Sequence, residues 1–250
     1  MAATGARLAA IAAVAGRAVM AHYGRGETAQ FKPDHSPVTA ADREAETLIL
    51  AALEKEFPGV PVVAEEAEAA GANSKPAARF FLVDPLDGTR EFLKGNGEFT
   101  VNIALVENGV PMAGAVFAPA LGRMFFADGT GAFEQAGDGA ARRIEARRTP
   151  ASGPAALCSR SHDDSQTQAY LEKLGTSDVT AIGSSLKFCL LAAGEADLYA
   201  RASRTMEWDT AAGHAILAAA GGIVTAWDGG EFRYGKPGFA NGGFIARGRV

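Results

Sequence analysis

The spacing of apolar and polar positions divides the chain into two stretches of different rhythm. Near the N-terminus Leu8, Ile11, Ala15 and Val19 recur at helical spacing, with Arg7, Arg17 and His22 on the polar side, and predict an amphipathic first helix. The run from Leu8 to Met20 is apolar enough to pass for a signal peptide. Arg17 would then fall inside its apolar core, so a helix of the folded protein is the better reading. A polar loop over 24–37 leads to a second helix beginning at Ala40. Thr39 is its N-cap, Asp42 lies in its first turn, and Ala45, Leu48, Ile49, Ala52 and Leu53 form its buried face. Residues 57–64 predict a short strand. The four apolar residues 80–83, with no helical period, predict a buried one. Strands over 99–106, 112–117, 123–126, 131–134 and 142–145, separated by Gly-rich turns, predict an antiparallel meander. Residues 149–154, rich in Pro, Ser and Gly, mark a boundary. Beyond it the rhythm alternates: strands over 155–159, 179–182, 196–200 and 223–227, helices over 165–174, 184–193 and 209–220. The expectation is an α+β unit over 1–150 followed by an α/β unit over 151–250.

Composition narrows the function. With 48% apolar and 21% charged residues in 250, the chain has the balance of a soluble globular protein with a real core. A net charge of −5 and no long basic run exclude a nucleic-acid-coating surface, so phosphate recognition must rest on a few placed Lys and Arg residues. Cys158 and Cys189 have no metal spacing and read as reduced, buried thiols. The four histidines (His22, His35, His162 and His214) lack the spacing of a zinc site. No stretch reaches the roughly 18 uncharged apolar residues of a membrane span. A cytoplasmic protein is expected. Weak peripheral association with the cytoplasmic side of an inner membrane, and the choice of monomer or homodimer, stay open.

The candidate chemistry gathers at Asp84-Pro-Leu-Asp-Gly-Thr89, directly after the buried strand. Pro85 restrains Asp84 and its own φ and predicts a sharp turn, while Gly88 permits a positive φ or a close backbone approach. Asp84, Asp87 and the Leu86 carbonyl could then converge as hard oxygen ligands suited to Mg²⁺. The alternative is an Asp-Gly surface turn. Glu65-Glu66 ends the preceding strand, where paired acids are solvated or bound to a cation. Asp209 falls at or near the first turn of a helix, where it is rigidly held; a simple cap is equally compatible. Gly183-Ser-Ser-Leu-Lys187 opens a helix with backbone N–H groups, two hydroxyls and a lysine, an anion site that Arg201 could complete. Serine capping competes with that reading. His162, in Ser159-Arg-Ser-His162, either stacks on a ligand ring or is plain loop. Asp42 has a capping role and no local partner for another.

Glu65-Glu66, Asp84-Pro-Leu-Asp-Gly-Thr89 and Trp208-Asp-Thr-Ala-Ala-Gly213 resemble the signatures of the inositol monophosphatase superfamily of Mg²⁺-dependent, lithium-sensitive phosphatases. Ser36-Pro-Val-Thr-Ala-Ala-Asp42, Asn96-Gly-Glu-Phe-Thr-Val-Asn-Ile-Ala104, Ser159-Arg-Ser-His162 and Gly183-Ser-Ser-Leu-Lys187 bring it nearest to the bacterial bisphosphate nucleotidases of that family. The resemblance implies a layered α-β-α-β-α sandwich, the metal ligands mostly in its N-terminal half. It implies that Glu65, Asp84 and the Leu86 carbonyl bind one Mg²⁺ and that Asp84, Asp87 and Asp209 bind a second, a third in turnover being left open. Glu65, Thr89 and Asp42 would be catalytic, Thr89 and Asp42 orienting the attacking water, with Gly88 and Thr89 cradling the scissile phosphate. Glu65, Leu86, Asp87 and Asp209 would also border the substrate. Ser184, Lys187 and Arg201 would hold a 5′-phosphate, and His162 would lie near adenine. The implied partner is a small nucleotide, and the implied reaction turns 3′-phosphoadenosine 5′-phosphate into AMP and phosphate, in sulfur assimilation or nucleotide recycling. An inositol or fructose bisphosphate phosphatase is the alternative enzyme, and a non-catalytic nucleotide-binding regulator the alternative of another class.

Overall fold

The computed structural model describes residues 3–26, 28–32, 37–161, 164–176 and 178–249. Helix α1 (Thr4–His22) turns Leu8, Ile11, Ala12, Ala15 and Val19 inward and leaves Arg17 exposed, as its periodicity predicts. By length and a mean hydropathy of 1.2 alone α1 could cross a membrane. Here its inward stripe packs on α2 (Ala40–Glu56) and on the first sheet. In α2 the predicted face is partly wrong. Ala45, Ile49 and Leu53 are buried, but Leu48 is 36% exposed and Ala52 only half-buried, and their places are taken by Ala41, Asp42 and Glu46. The helix lies on β4 (Arg79–Asp87), so its first turns serve the strand ends as well as the core.

Between the helices, β1 (Gln30–Phe31) and β2 (Pro37–Val38) form a short antiparallel pair. The first large sheet runs in chain order: β3 (Val62–Ala64), β4, β5 (Thr100–Glu107), β6 (Val110–Ala118), β7 (Arg123–Asp128), β8 (Gly131–Ala136) and β9 (Arg142–Ile144). All neighbours are antiparallel except β3 and β4. Alternation along β4 sends Phe80 and Leu82 into one core and Phe81 and Val83 into another, which is why its sequence is apolar throughout.

The second half contributes β10 (Ala156–Ser159), α5 (Ser165–Lys173), β11 (Val179–Ile182), α6 (Leu186–Ala192), β12 (Leu198–Arg201), β13 (Thr205–Met206), α7 (Ala211–Ala219), β14 (Ile223–Ala226), β15 (Ala240–Asn241) and β16 (Phe244–Arg247). Five of these strands pair in the order β11-β10-β12-β16-β14. β16 runs antiparallel to both its neighbours, while β10, β11 and β12 are parallel. Helices α6 and α7 fill the space between the two sheets: Phe188, Leu191, Ile216 and Leu217 share a core with Phe80, Leu82 and Phe125 on one side and Tyr199 and Phe244 on the other. Gly213 makes this approach possible, since a Cβ there would lie 2.6 Å from the Phe188 side chain. Leu171 of α5 covers the outer face with Leu198, Ala200 and Ile245. The layers are therefore helix, sheet, helix, sheet, helix, the expected sandwich.

Candidate active site

Three local devices bring the acidic residues to one place. The first is a bulge. Asp84 pairs with Asn102 and Asp87 with Thr100, so three steps along β4 match two along β5. Residues three apart on a regular strand face opposite sides; the extra residue turns Asp84 and Asp87 into the same cleft. The sharp turn expected at Pro85 is thus an irregular continuation of the strand, because the missing N–H of proline is accommodated at a bulge. The second device is the parallel pairing of Ala64 with Val83, which sets Glu65, just past β3, beside Asp84. Glu65 and Glu66 lie just past the strand and open a short helix, α3 (Glu65–Ala69). The third is the turn before α7, where the Met206 N–H donates to Asp209 Oδ2 at 2.8 Å. Asp209 precedes the helix, whose N-cap is Thr210, and does not lie in its first turn.

Glu65, Asp84, Asp87 and Asp209 all line one cleft of about 400 Å³. Burial pushes the Asp84 carboxyl well above its ordinary range, and the neighbouring Glu65, Asp87 and Asp209 push it further. Burial also raises Asp87 to about 6, against the lowering by Lys187, the Ser185 N–H and Asn102, and Asp209 to about 8, with Asp87 and Glu65 adding to it. Sequence reasoning missed Lys32. Its Nζ lies 2.6 Å from both Glu65 Oε1 and Glu66 Oε1, a cation already seated at the edge of the acidic group.

Beside the carboxylates the structure brings Thr89 to Asp42, with Thr89 Oγ1 3.3 Å from Asp42 Oδ1 and 3.2 Å from the Leu86 carbonyl. The Thr39 N–H and hydroxyl both donate to Asp42 Oδ2, at 2.8 and 2.7 Å. The capping role and the missing partner therefore coexist on the two oxygens of one carboxylate. Gly88, at φ 90°, starts the short helix α4 (Thr89–Lys94), which the apolar pattern did not predict. A Cβ at Gly88 would lie 3.1 Å from the Glu98 carbonyl oxygen.

Ser184, Lys187 and Arg201 line the same cleft. Lys187 is 1% exposed; its ammonium donates to the carbonyls of Ile182 at 2.8 Å and Ser184 at 2.7 Å, and burial lowers its pKa to about 8. Arg201 Nε donates to Ser203 Oγ at 3.1 Å. Helix α6 begins at Leu186, later than expected, because Ser184 takes a left-handed φ of 51°. His162 lies outside the described residues; Ser161 beside it lines the cleft and donates to Glu91 Oε1.

The family model described as "Inositol monophosphatase family" matches residues 4–247. This chain belongs to the inositol monophosphatase family. It is 47% identical over 233 residues to the 3′(2′),5′-bisphosphate nucleotidase CysQ of Salmonella typhimurium, covering 92% of this chain and 94% of that one. The crystal structure of CysQ from Bacteroides thetaiotaomicron superposes with a TM-score of 0.80 at 37% identity, covering 98% and 96% of the two chains. Thermotoga maritima IMPase superposes with a TM-score of 0.79 at 30% identity, covering 96% and 89%.

Inositol monophosphatase family enzymes are metal-dependent, typically on Mg²⁺. Among the described residues no three His, Cys, Asp or Glu side chains are drawn together as ligands of one ion. The donor chemistry nevertheless fits a hard divalent cation. The four carboxylates offer only oxygen and repel one another in a largely buried place, while Lys32 is bonded to Glu65 and Glu66 at the rim and Lys187 and Arg201 act on Asp87 and Asp209.

Proposed function

We propose that this chain is a Mg²⁺-dependent 3′(2′),5′-bisphosphate nucleotidase of the cytoplasm that converts 3′-phosphoadenosine 5′-phosphate and water into AMP and phosphate. The observation that carries the reading is a single cleft lined both by four carboxylates and by Lys187 and Arg201. A monophosphate ester needs only the carboxylates. A substrate with a second phosphate uses both sets of residues. The likeness to CysQ nucleotidases supports the same choice. The N-terminal half would then furnish most of the cation ligands and the C-terminal half the nucleotide contacts.

Glu65, Asp84, the Leu86 carbonyl, Asp87 and Asp209 would hold the cations. Bound there, divalent cations acidify a water and neutralise charge on the attacking and leaving oxygens of an in-line displacement. The chain's own part is to orient that water and take its proton. Thr89 has one hydroxyl proton and two acceptors at similar distance; donated to Asp42, that proton would leave the hydroxyl lone pairs free to accept from the water. Burial raises the Asp42 pKa, which makes its carboxylate a better proton acceptor than an exposed aspartate. The backbone turn at Gly88 and Thr89 receives the scissile phosphate, and Ser184, Lys187 and Arg201 receive the other.

Initial rates of phosphate release from 3′-phosphoadenosine 5′-phosphate, inositol 1-phosphate and fructose 1,6-bisphosphate, with Mg²⁺ and with chelator, test the reading. We expect no release with chelator and a kcat/KM for the nucleotide about a hundredfold above the others. Equal rates on all three would overturn the nucleotide assignment.

A further inference from the structure

Asp87 is held both from its own sheet, by Asn102 of β5, and from the second half of the chain, by Ser185. Its Oδ2 accepts the Ser185 N–H at 2.6 Å and Asn102 Nδ2 at 3.3 Å. The Asn102 Oδ1 atom accepts the Ser185 hydroxyl at 2.7 Å, and that hydroxyl oxygen lies 2.9 Å from Thr100 Oγ1. Asn102, Ser185 and Thr100 are 1%, 2% and 0% exposed, so this polar ring has no water to fall back on.

The proton directions in the ring follow from chemistry. A carboxylate can only accept, so the Asn102 amide must present its NH₂ to Asp87 and its carbonyl to Ser185. The Ser185 hydroxyl must then donate to Asn102, and it accepts from Thr100. One oxygen of Asp87 is thereby saturated by donors, which leaves Oδ1 as the atom available to a cation.

The Ser185 amide belongs to the segment running into α6, the segment that in the proposed reaction receives the second phosphate. Lys187 ties the carbonyls of Ile182 and Ser184 on either side of Gly183, and Ser184 sits in the left-handed region. A shift of that segment on binding an anion therefore moves the Ser185 N–H relative to Asp87.

We propose that Asn102 is a positioning residue for Asp87, and that through the Asn102–Ser185 ring cation binding at Asp87 and anion binding at the 183–187 segment are coupled. The identity of the anion rests on the nucleotide reading; the coupling itself does not. By reciprocity each ligand tightens the other by the same factor.

The test is calorimetric titration of the full-length protein, without turnover. Mg²⁺ is titrated into free enzyme, and AMP, which lacks the scissile phosphate, is titrated with and without saturating Mg²⁺. In the unmodified protein we expect Mg²⁺ to tighten AMP about 5- to 100-fold. Asn102→Ala should weaken Mg²⁺ about tenfold and bring the Mg²⁺ effect on AMP below about twofold. Ser185→Ala keeps the backbone N–H to Asp87 and removes only the hydroxyl link, so it should weaken Mg²⁺ about threefold, and the double variant should cost no more than Asn102→Ala alone. It also carries the test if Asn102→Ala fails to fold. Unchanged Mg²⁺ affinity and unchanged coupling in the folded variants would overturn the proposal even if their melting temperature fell. If the unmodified protein neither binds AMP nor hydrolyses the bisphosphate, the nucleotide reading fails, and the Mg²⁺ titrations alone still decide the role of Asn102.

Discussion

Asp84 faces Glu65, Asp87 and Asp209, and it accepts the Leu86 N–H at 3.0 Å. By contrast, Lys187 already donates to two carbonyls and lies over the Tyr199 ring at 4.9 Å, while Arg201 is engaged by Ser203. Asp84 is thus left with like charge that the fold does not compensate, while Lys187 and Arg201 already have acceptors within the fold. Uncompensated buried carboxylates either take up protons or take up a cation, so the acidic cluster demands a ligand even without substrate. Lys187, although burial lowers its pKa, already has two carbonyl acceptors. It can shape a backbone segment toward an anion at little cost in the free protein. Cation binding should therefore be felt in stability as well as in rate, whereas loss of a basic residue should be felt mainly in substrate affinity.

The sharpest way to break this contrast is Asp84→Asn. The amide oxygen still accepts from Leu86 N–H, so the bulge keeps its hydrogen bond. Because the charge most surrounded by like charge is gone, the metal-free variant should melt a few degrees higher, each kcal/mol being worth about 2–4 °C at this size. Its kcat should fall roughly 10³-fold or more, since a carboxylate shared by the cations is lost. A variant that hydrolyses substrate at near-normal rate would remove Asp84 from the chemistry; one that melts lower without metal would contradict the uncompensated charge.

A smaller effect separates cation holding from proton handling within the acidic cluster itself. Asp42→Asn retains an oxygen for the Thr39 donors, which anchor the start of α2. It should lower kcat about 10²-fold with Mg²⁺ affinity unchanged, because Asp42 reaches the site through Thr89. Thr89→Ser, which keeps the hydroxyl, should be far milder than Thr89→Ala. Mg²⁺ affinity falling in step with rate would place Asp42 among the cation ligands and dissolve the distinction.

What the chain reveals in one dimension follows the same division. The buried strand into Asp84, the amphipathic α1 and the Thr39 cap are local, and periodicity or a single turn suffices to read them. The outward turn of Leu48 is not local: it reflects α2 sharing its inner face between the core and Asp42. β16 escaped detection, although it lies between β12 and β14 in the second sheet. Phe244-Ile-Ala-Arg247 follows Gly242 and Gly243, is short, and shows no alternation because both its faces are covered. At the site, motif reading located the acidic residues, but the partners that set their properties come from far along the chain. Lys32 meets Glu65 from a two-stranded pair, and Asn102 and Ser185 meet Asp87 from β5 and the approach to α6. No spacing rule connects them.

The smallest expected effect is the one that isolates the acidic cluster from catalysis altogether. Asp84, Asp209 (about 8) and Glu66 (about 7) are all raised, burial being the first cause in each. Their unfolded values lie near 4. From pH 6.5 to 8 the folded protein therefore holds protons that the unfolded chain has already released, and stability must fall as pH rises. Two groups oppose this mostly outside that window. His214, lowered to about 4 by burial, penalises the folded state below its unfolded value near 6.5, and Lys187, lowered to about 8, carries a penalty that is relieved mostly above pH 8. The metal-free melting temperature should thus drop by roughly 3–6 °C between pH 6.5 and 8, a loss of about 1–2 kcal/mol. Mg²⁺ should reverse the trend, raising the melting temperature more at pH 8 than at pH 6.5, because only the deprotonated carboxylates bind it. Scanning calorimetry at the two pH values, with and without Mg²⁺, decides the matter. A metal-free curve that is flat or rises across the window would mean that the carboxylates are compensated within the fold, and that the acidic and basic groups do not differ in the way their contacts indicate.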